Sequence, residues 1–181
     1  MRDYDLTYDF DQDLHEVPNN ALDMELFVED QIVVLNTIQK PEERVQTLGR
    51  LGTYLRILRR LSEAQSYLEK SLEVIARHKM PVDVRVQQQI RLAHVYQWQK
   101  KFAQSNAIFS ELIMLAQKTE LGALHDFIWQ HSGKNEFDQH NWSKAYEAFD
   151  RALKLRQLRR APADQIRSSL DSVTSALQRM N

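Results

Sequence analysis

The sequence predicts an all-α fold of stacked helical hairpins, about eight helices in all, and three observations carry that prediction. Glycine and proline are scarce, four of each in 181 residues, which disfavours sandwiches, barrels and loop-rich enzymes. Apolar residues recur at helical spacing from Ala21 almost to the end. One pattern also repeats. Leu51-Gly52, Leu92-Ala93 and Ser132-Gly133 are offset by 41 and 40 residues. Each pair is followed 12 residues later by a small residue (Ala64, Ser105, Ala145), and four further on by Leu68, Phe109 or Phe149. Leu61, Phe102 and Trp142 recur at the same offsets, just before each second helix. A mid-helix glycine costs about 1 kcal/mol against alanine, so Gly52 and Gly133 imply close approach of a neighbouring helix.

The elements follow in order. Residues 1–20 do not read as helix: Tyr4, Leu6, Tyr8 and Phe10 alternate with Asp3, Asp5, Asp9 and Asp11, a period of two on an acidic background. Pro18-Asn19-Asn20 punctuates the chain. A first helix is expected from about Leu22 to Gln39, with Leu26, Ile32, Val33 and Ile38 among its apolar positions. Pro41 suits the first turn of a second helix, with Glu42 and Glu43 near its positive end. Ser62 and Gln65 read as a capping box opening a third, and Pro81 and Pro162 mark further boundaries. The expected organisation is an acidic extended or disordered segment over 1–20 and a helical-repeat domain over 21–181. Within that domain stand a cap helix (21–40), repeats at about 41–81, 82–121 and 122–161, and a terminal cap helix (162–181).

Composition bounds the function. Hydrophobic residues make up 43% and charged residues 27%, an ordinary globular balance. Zero cysteines exclude disulfides, thiolate zinc sites and cysteine nucleophiles. The longest aliphatic run is Ile32-Val33-Val34-Leu35, too short to cross a bilayer, and the acidic start is not a secretory signal; a cytoplasmic setting is expected. The net charge of −1 hides an asymmetry: residues 1–30 carry ten acids and one base, a formal −9, and the remainder a formal +8.

The repeat resembles that of tetratricopeptide-repeat (TPR) proteins, whose signature is W-x2-L-G-x2-Y, then A-x3-F, then P. The first repeat reads Leu48-x2-Leu51-Gly52-x2-Leu55 with Ala64-x3-Leu68. The second reads Gln89-x2-Leu92-Ala93-x2-Tyr96 with Ser105-x3-Phe109, and the third Trp129-x2-Ser132-Gly133-x2-Glu136 with Ala145-x3-Phe149. A half repeat, Leu170-x2-Val173-Thr174-x2-Leu177, fits the same frame. The period exceeds the usual 34 and is similar to the extended, roughly 40-residue repeats of kinesin light chains and of bacterial peptide-sensing regulators. The resemblance implies a right-handed α-solenoid with caps at both ends.

No catalytic motif is present: no H-E-x-x-H, phosphate loop, G-x-S-x-G or dinucleotide fingerprint. His15, His78, His94, His125, His131 and His140 lack zinc-ligand spacing. Asp9-x-Asp11-x-Asp13 begins like a calcium loop, but Leu14 stands where glycine is needed and Asn20 where the bidentate glutamate is needed. The expectation is a non-enzymatic protein without metal or cofactor.

The resemblance implies that the first helix of each hairpin lines a concave, peptide-binding groove. Its stripe comprises Arg50, Thr53 and Arg56 in the first repeat, Gln87, Arg91, His94 and Trp98 in the second, and Gln130, His131, Lys134 and Asp138 in the third. Such a stripe is basic and suits a protein or acidic-peptide partner, with Trp98 an aromatic anchor. Polar residues on an amphipathic helix are equally what a solvated face carries, and that alternative stays open. Trp129, Phe137, Trp142, Tyr146 and Phe149 are assigned to the core, and Tyr96 to packing.

The charge asymmetry sharpens the expectation. The segment Asp3–Asp13 has the character of a ligand for this groove, bound within its own molecule or exchanged with a second copy in a homodimer, where effective concentrations near millimolar let weak contacts suffice. Two rivals are weighed. Arg56, Arg59 and Arg60 with Arg156, Arg159 and Arg160 form basic clusters that suggest nucleic acid, although an acidic tail repels phosphate. Self-assembly through exposed hairpin faces is the other.

Overall fold

A computed structural model describes residues 3–180; Met1, Arg2 and Asn181, at the outer ends of the expected terminal segments, lie outside the described residues. The described chain begins with a two-stranded antiparallel hairpin, β1 (Tyr8–Phe10) and β2 (Glu16–Pro18), in the register Tyr8 to Pro18 and Phe10 to Glu16. Eight helices follow among the described residues: α1 (Ala21–Leu35), α2 (Pro41–Ile57), α3 (Leu61–His78), α4 (Val82–Trp98), α5 (Phe102–Lys118), α6 (Leu124–Asp138), α7 (Trp142–Leu158) and α8 (Ala163–Met180). None is long and apolar enough to cross a membrane. The chain divides after Gln99 into two compact units, the first holding the hairpin and α1–α4, the second α5–α8.

In the first unit, Leu48, Leu51 and Leu55 of α2 are buried against α3, whose Ala64, Leu68 and Ile75 are buried in turn. Gly52 is where the two helices meet: an added Cβ would lie 2.4 Å from Leu68 Cγ. In the second unit Gly133 of α6 plays the same part, its hypothetical Cβ lying 2.5 Å from the Phe149 ring of α7. Both mid-helix glycines are thus kept by close helix approach, as their spacing implied. Ser105 replaces alanine at the small-residue position of α5; it is fully buried, and its hydroxyl donates to Asn135 Oδ1 of α6 at 2.6 Å. That bond offsets the burial of the extra hydroxyl. Phe137 and Phe149 are core residues as expected, whereas Trp129, Trp142 and Tyr146 are half-buried.

The turns repeat as regularly as the helices. Arg59, Lys100 and His140, spaced 41 and 40 residues apart, all adopt positive φ (63°, 59° and 60°), as do Lys79 and Arg160 after α3 and α7. At Arg59 the amide bonds Arg56 O while Arg60 N bonds Leu55 O, and the same pairing recurs at Lys79–Met80, His140–Asn141 and Arg160–Ala161. These are Schellman closures made without glycine.

Two helix ends differ from expectation. The helix expected over Leu22–Gln39 is Ala21–Leu35. Asn20 caps its start by accepting from Asp23 N. Its end is fixed when Arg44 Nη1 takes the Leu35 carbonyl and the Thr37 hydroxyl takes that of Val34. Its buried line is Met24, Val28 and Leu35, while Val33 is 66% exposed. The capping box at Ser62 and Gln65 is not formed: α3 starts at Leu61 after Arg60, with no side-chain cap. The left-handed turn at Arg59 sets that start two residues early, with Arg60 rather than Ser62 at the N-cap. Pro41 does open α2, and Pro81 precedes α4.

Candidate functional site

The described N-terminal segment is ordered on α2 and α4. Asp11 holds its turn, accepting from the amides of Asp13 and His15 at 2.9 Å each through Oδ1, with a backbone bond from Leu14 N to Asp11 O. Two acids of the calcium-loop-like run therefore lie in a turn capped by its own carboxylate. Leu14 takes φ of 63° and is buried at the apex. The alternation that follows sends Glu16 inward and leaves Val17 exposed.

Glu16 reaches Arg56 in the last turn of α2. Arg56 Nη1 donates to Glu16 Oε2 at 2.7 Å, with the two side chains only 6% and 5% exposed. Beside this pair lies Trp98, the last residue of α4. The guanidinium groups of Arg56 and Arg59 stand 4.3 and 4.1 Å from its ring centroid, and the His15 ring 4.8 Å away. His94, one turn earlier and also buried, meets Trp98 edge to face. Asp11 Oδ2 lies 4.0 Å from Arg59 Nη2, an exposed pair of small energetic weight. Two cations and an indole thus form an anion receptor, and Glu16 is the anion in it.

Further along the same two helices the charge is unmatched. Arg91 of α4 is half-buried and donates to Gln88 Oε1 at 3.1 Å, and no carboxylate pairs with it among the described residues. Burial, then neighbouring Arg50, holds its guanidinium below the ordinary arginine range. Gly49 makes the room: a Cβ there would lie 2.2 Å from Arg91 Nη1. Arg50 is exposed and donates to Thr47 Oγ1 at 3.3 Å, Thr53 gives its hydroxyl to Gly49 O, and Gln87 is exposed. The stripe residues of the first unit therefore fall into two groups: Arg56, His94 and Trp98 under or beside the hairpin, and Arg50, Thr53, Gln87 and Arg91 away from it. Sequence reading missed Gly49 and Glu16. A second mid-helix glycine three residues before Gly52 was the available signal for the first; for Glu16, only its place next to Pro18 after an apolar-acidic run.

In the second unit the stripe residues are more enclosed. Gln130 is 3% exposed, with Nε2 donating to Ser172 Oγ at 2.9 Å and Oε1 accepting from Ser169 Oγ at 2.6 Å, both on α8. Lys134 is buried, His131 is half-buried and stacks on Phe127, and Asp138 is half-buried. Asp126, fully buried in the first turn of α6, accepts from Arg156 Nε at 2.9 Å and from Arg159 Nε. Arg156 also donates to Gln165 O and Ser169 Oγ.

These pairings bear on the arginine clusters. Arg56, Arg59, Arg156 and Arg159 face Glu16, Asp11 and Asp126, and Arg60 makes two 2.7 Å bonds to Glu63. Five of the six arginines that suggested nucleic acid thus face carboxylates of their own chain.

Comparison with known proteins gives the fold. The chain is similar to BtubC (BKLC) from P. vanneervenii, with a TM-score of 0.68 and 15% identity over 88% of this chain and 67% of that one. It is similar to a putative kinesin light chain from Podosopora anserina with nearly identical TPR-like repeats: TM-score 0.57, 14% identity, 88% of this chain and 77% of that one. A point variant of the latter gives 0.58 at 14% identity, over 88% of this chain and 76% of that one. The fold is therefore all-α and TPR-like, as the sequence frame implied. No protein-family profile matches the sequence, and no curated protein matches it.

Proposed function

We propose that this chain is a non-catalytic, cytoplasmic TPR-like scaffold that binds a protein partner through an acidic segment, and that its own N-terminal hairpin occupies part of the binding surface. The observation that carries this reading is the burial of Glu16 against Arg56 beside Trp98. An anion from a terminal segment already sits in the receptor that an acidic peptide would use. Arg50 and Arg91, with Thr53 and Gln87, form the accessible part of the surface, where a ligand carboxylate finds cations that no carboxylate among the described residues matches. Displacing the hairpin then adds Arg56, His94 and Trp98.

The test uses a fluorescent peptide of residues 9–18 added to the full-length chain, with binding read by anisotropy at low salt. Intact protein is expected to bind weakly, Glu16→Gln to bind at least tenfold more tightly, and Glu16→Gln/Arg59→Glu to lose that gain. Equal affinity in all three would end the proposal. Equal melting of Glu16→Gln and Glu16→Gln/Arg59→Glu distinguishes loss of binding from loss of fold.

A further inference from the structure

The third repeat departs from the frame at two positions that pack the hairpins elsewhere. Ser132 stands where Leu51 and Leu92 stand, and Glu136 where Leu55 and Tyr96 stand. Leu51 and Leu55 are fully buried, and the Tyr96 hydroxyl of α4 donates to Glu69 Oε1 of α3 at 3.2 Å. Serine is too small to fill the same space, and the Glu136 carboxylate turns to the helix end, where it accepts from Asn141 Nδ2 at 2.8 Å. A groove of about 280 Å³ is left there, lined by α5, α6 and α7, with Ser132 and Glu136 among its walls. That is just short of the roughly 300 Å³ at which sites for drug-sized ligands begin, room for a molecule of amino-acid size.

Four charged side chains line this groove, Glu136 of α6 with Lys144, Glu147 and Arg151 of α7, and none of the four forms an ion pair among the described residues. Trp129 of α6 lines it too, and its Nε1 is buried with no hydrogen-bond partner among the described residues. A buried donor of that kind calls for an acceptor. The Arg151 guanidinium lies 4.7 Å from the centroid of the same ring, so an unmet donor and an unpaired cation stand together. The two helices are antiparallel, since Trp129 meets Arg151 while Phe137 meets Trp142. Glu136 and Lys144 therefore fall at the opposite end. Glu147 stands one turn before Arg151, about 6 Å along the axis. A simple anion or a simple cation would meet a like charge one turn away from its partner. A small zwitterion meets none.

We propose that this groove binds a free amino acid with an apolar side chain. Its carboxylate accepts from Trp129 Nε1 and faces Arg151, and its ammonium group faces Glu147. The side chain lies over Ser132, between Ile113 of α5 and Ala148 of α7, the apolar part of the lining. Volume, opposite charges one turn apart and the unmet indole donor select this occupant together. The inference is independent of the peptide-binding proposal, because it uses none of the same residues.

The experiment follows the indole N–H signals of the full-length, isotope-labelled chain by nuclear magnetic resonance. Its three tryptophans give three such signals, and that of Trp129 is the one lost in Trp129→Phe. Leucine, methionine and phenylalanine are each titrated to millimolar concentration, and at least one is expected to move the Trp129 signal to saturation. The N-acetyl and amide derivatives of that amino acid each lack one charge and should bind at least tenfold more weakly. Arg151 is exposed, so Arg151→Gln keeps its melting curve and should weaken binding to the same extent. Ser132→Leu/Glu136→Tyr refills the groove with residues of the frame and should abolish the shift without lowering the melting temperature. A Trp129 signal that none of the three amino acids moves overturns the proposal. So does equal binding of the acetylated and amide forms, or binding that survives Arg151→Gln or the refilled groove.

Discussion

Each unit buries an arginine from the last turn of a helix against a carboxylate, with a second arginine three residues on: Arg56 and Arg59 with Glu16 and Asp11, Arg156 and Arg159 with Asp126. The local chemistry is nearly the same, but the acids are held differently. Asp126 sits in the first turn of α6 and cannot leave without unpacking it, and Arg156 has further bonds to Gln165 O and Ser169. Glu16 sits on a two-stranded hairpin whose Tyr8, Phe10 and Val17 are exposed. An isolated hairpin is marginal in water. A buried ion pair is weak evidence of stability, but losing one partner leaves a costly buried charge. Under the proposed function, the same pair is a fixed strut in the second unit and a removable latch in the first.

The largest effect should come from breaking the strut. Asp126→Ala leaves Arg156 buried and unmatched, for a loss of about 3–5 kcal/mol in urea unfolding. Glu16→Ala should cost less, about 1–3 kcal/mol, because the hairpin can lift and let water reach Arg56. Amide exchange in 8–18 should accelerate in Glu16→Ala while the α2 core keeps its protection. If both variants lose equal stability, and exchange in α2 rises with that in the hairpin, Glu16 is core and the latch idea falls.

A packing comparison comes next. At Gly52 the methyl of an alanine meets the branched end of Leu68; at Gly133 it meets the flat Phe149 ring, itself fully buried and packed on Phe137. Overpacking costs about 1–3 kcal/mol, and a flexible leucine relaxes more readily than an enclosed ring. Gly133→Ala should therefore lower the melting temperature more than Gly52→Ala. The reverse order would mean that the second unit yields more easily than its packing implies.

The repeat itself was legible because close helix packing leaves a mark on residue size: Gly52 and Gly133 had to be small, and Leu68 and Phe149 had to fill the space. The charge split pointed to the hairpin, since ten acids in thirty residues need cations nearby. It did not point to Glu16, because two-residue alternation says which side chains face one way and not which helix they meet. Arg56 read as a free groove residue for the same reason: its carboxylate lies 40 positions away. Gln130 was likewise placed on an open stripe when α8 holds it. The left-handed turns left little trace, since Arg59, Lys79, Lys100 and Arg160 have no special tendency to that conformation and only His140 is of a type enriched there.

Those turns give the smallest and most selective prediction. A non-glycine residue in the left-handed region is strained by roughly 1–2 kcal/mol, and glycine there returns about 0.5–1 kcal/mol of that as unfolded-state entropy. Lys79 is exposed, so Lys79→Gly should stabilise the chain by about 0.5–1 kcal/mol, a rise of a few degrees in melting temperature. Arg59 has the same backbone strain, but its guanidinium stacks on Trp98 and faces Asp11. Arg59→Gly removes that cation–π contact, worth about 0.5–2 kcal/mol, and should show no gain. In a Glu16→Ala background, where the hairpin has already lifted, part of the benefit should return. Equal stabilisation by both glycines in the wild-type chain would mean that Arg59 contributes nothing to holding the hairpin. The latch would then rest on Glu16 and Arg56 alone.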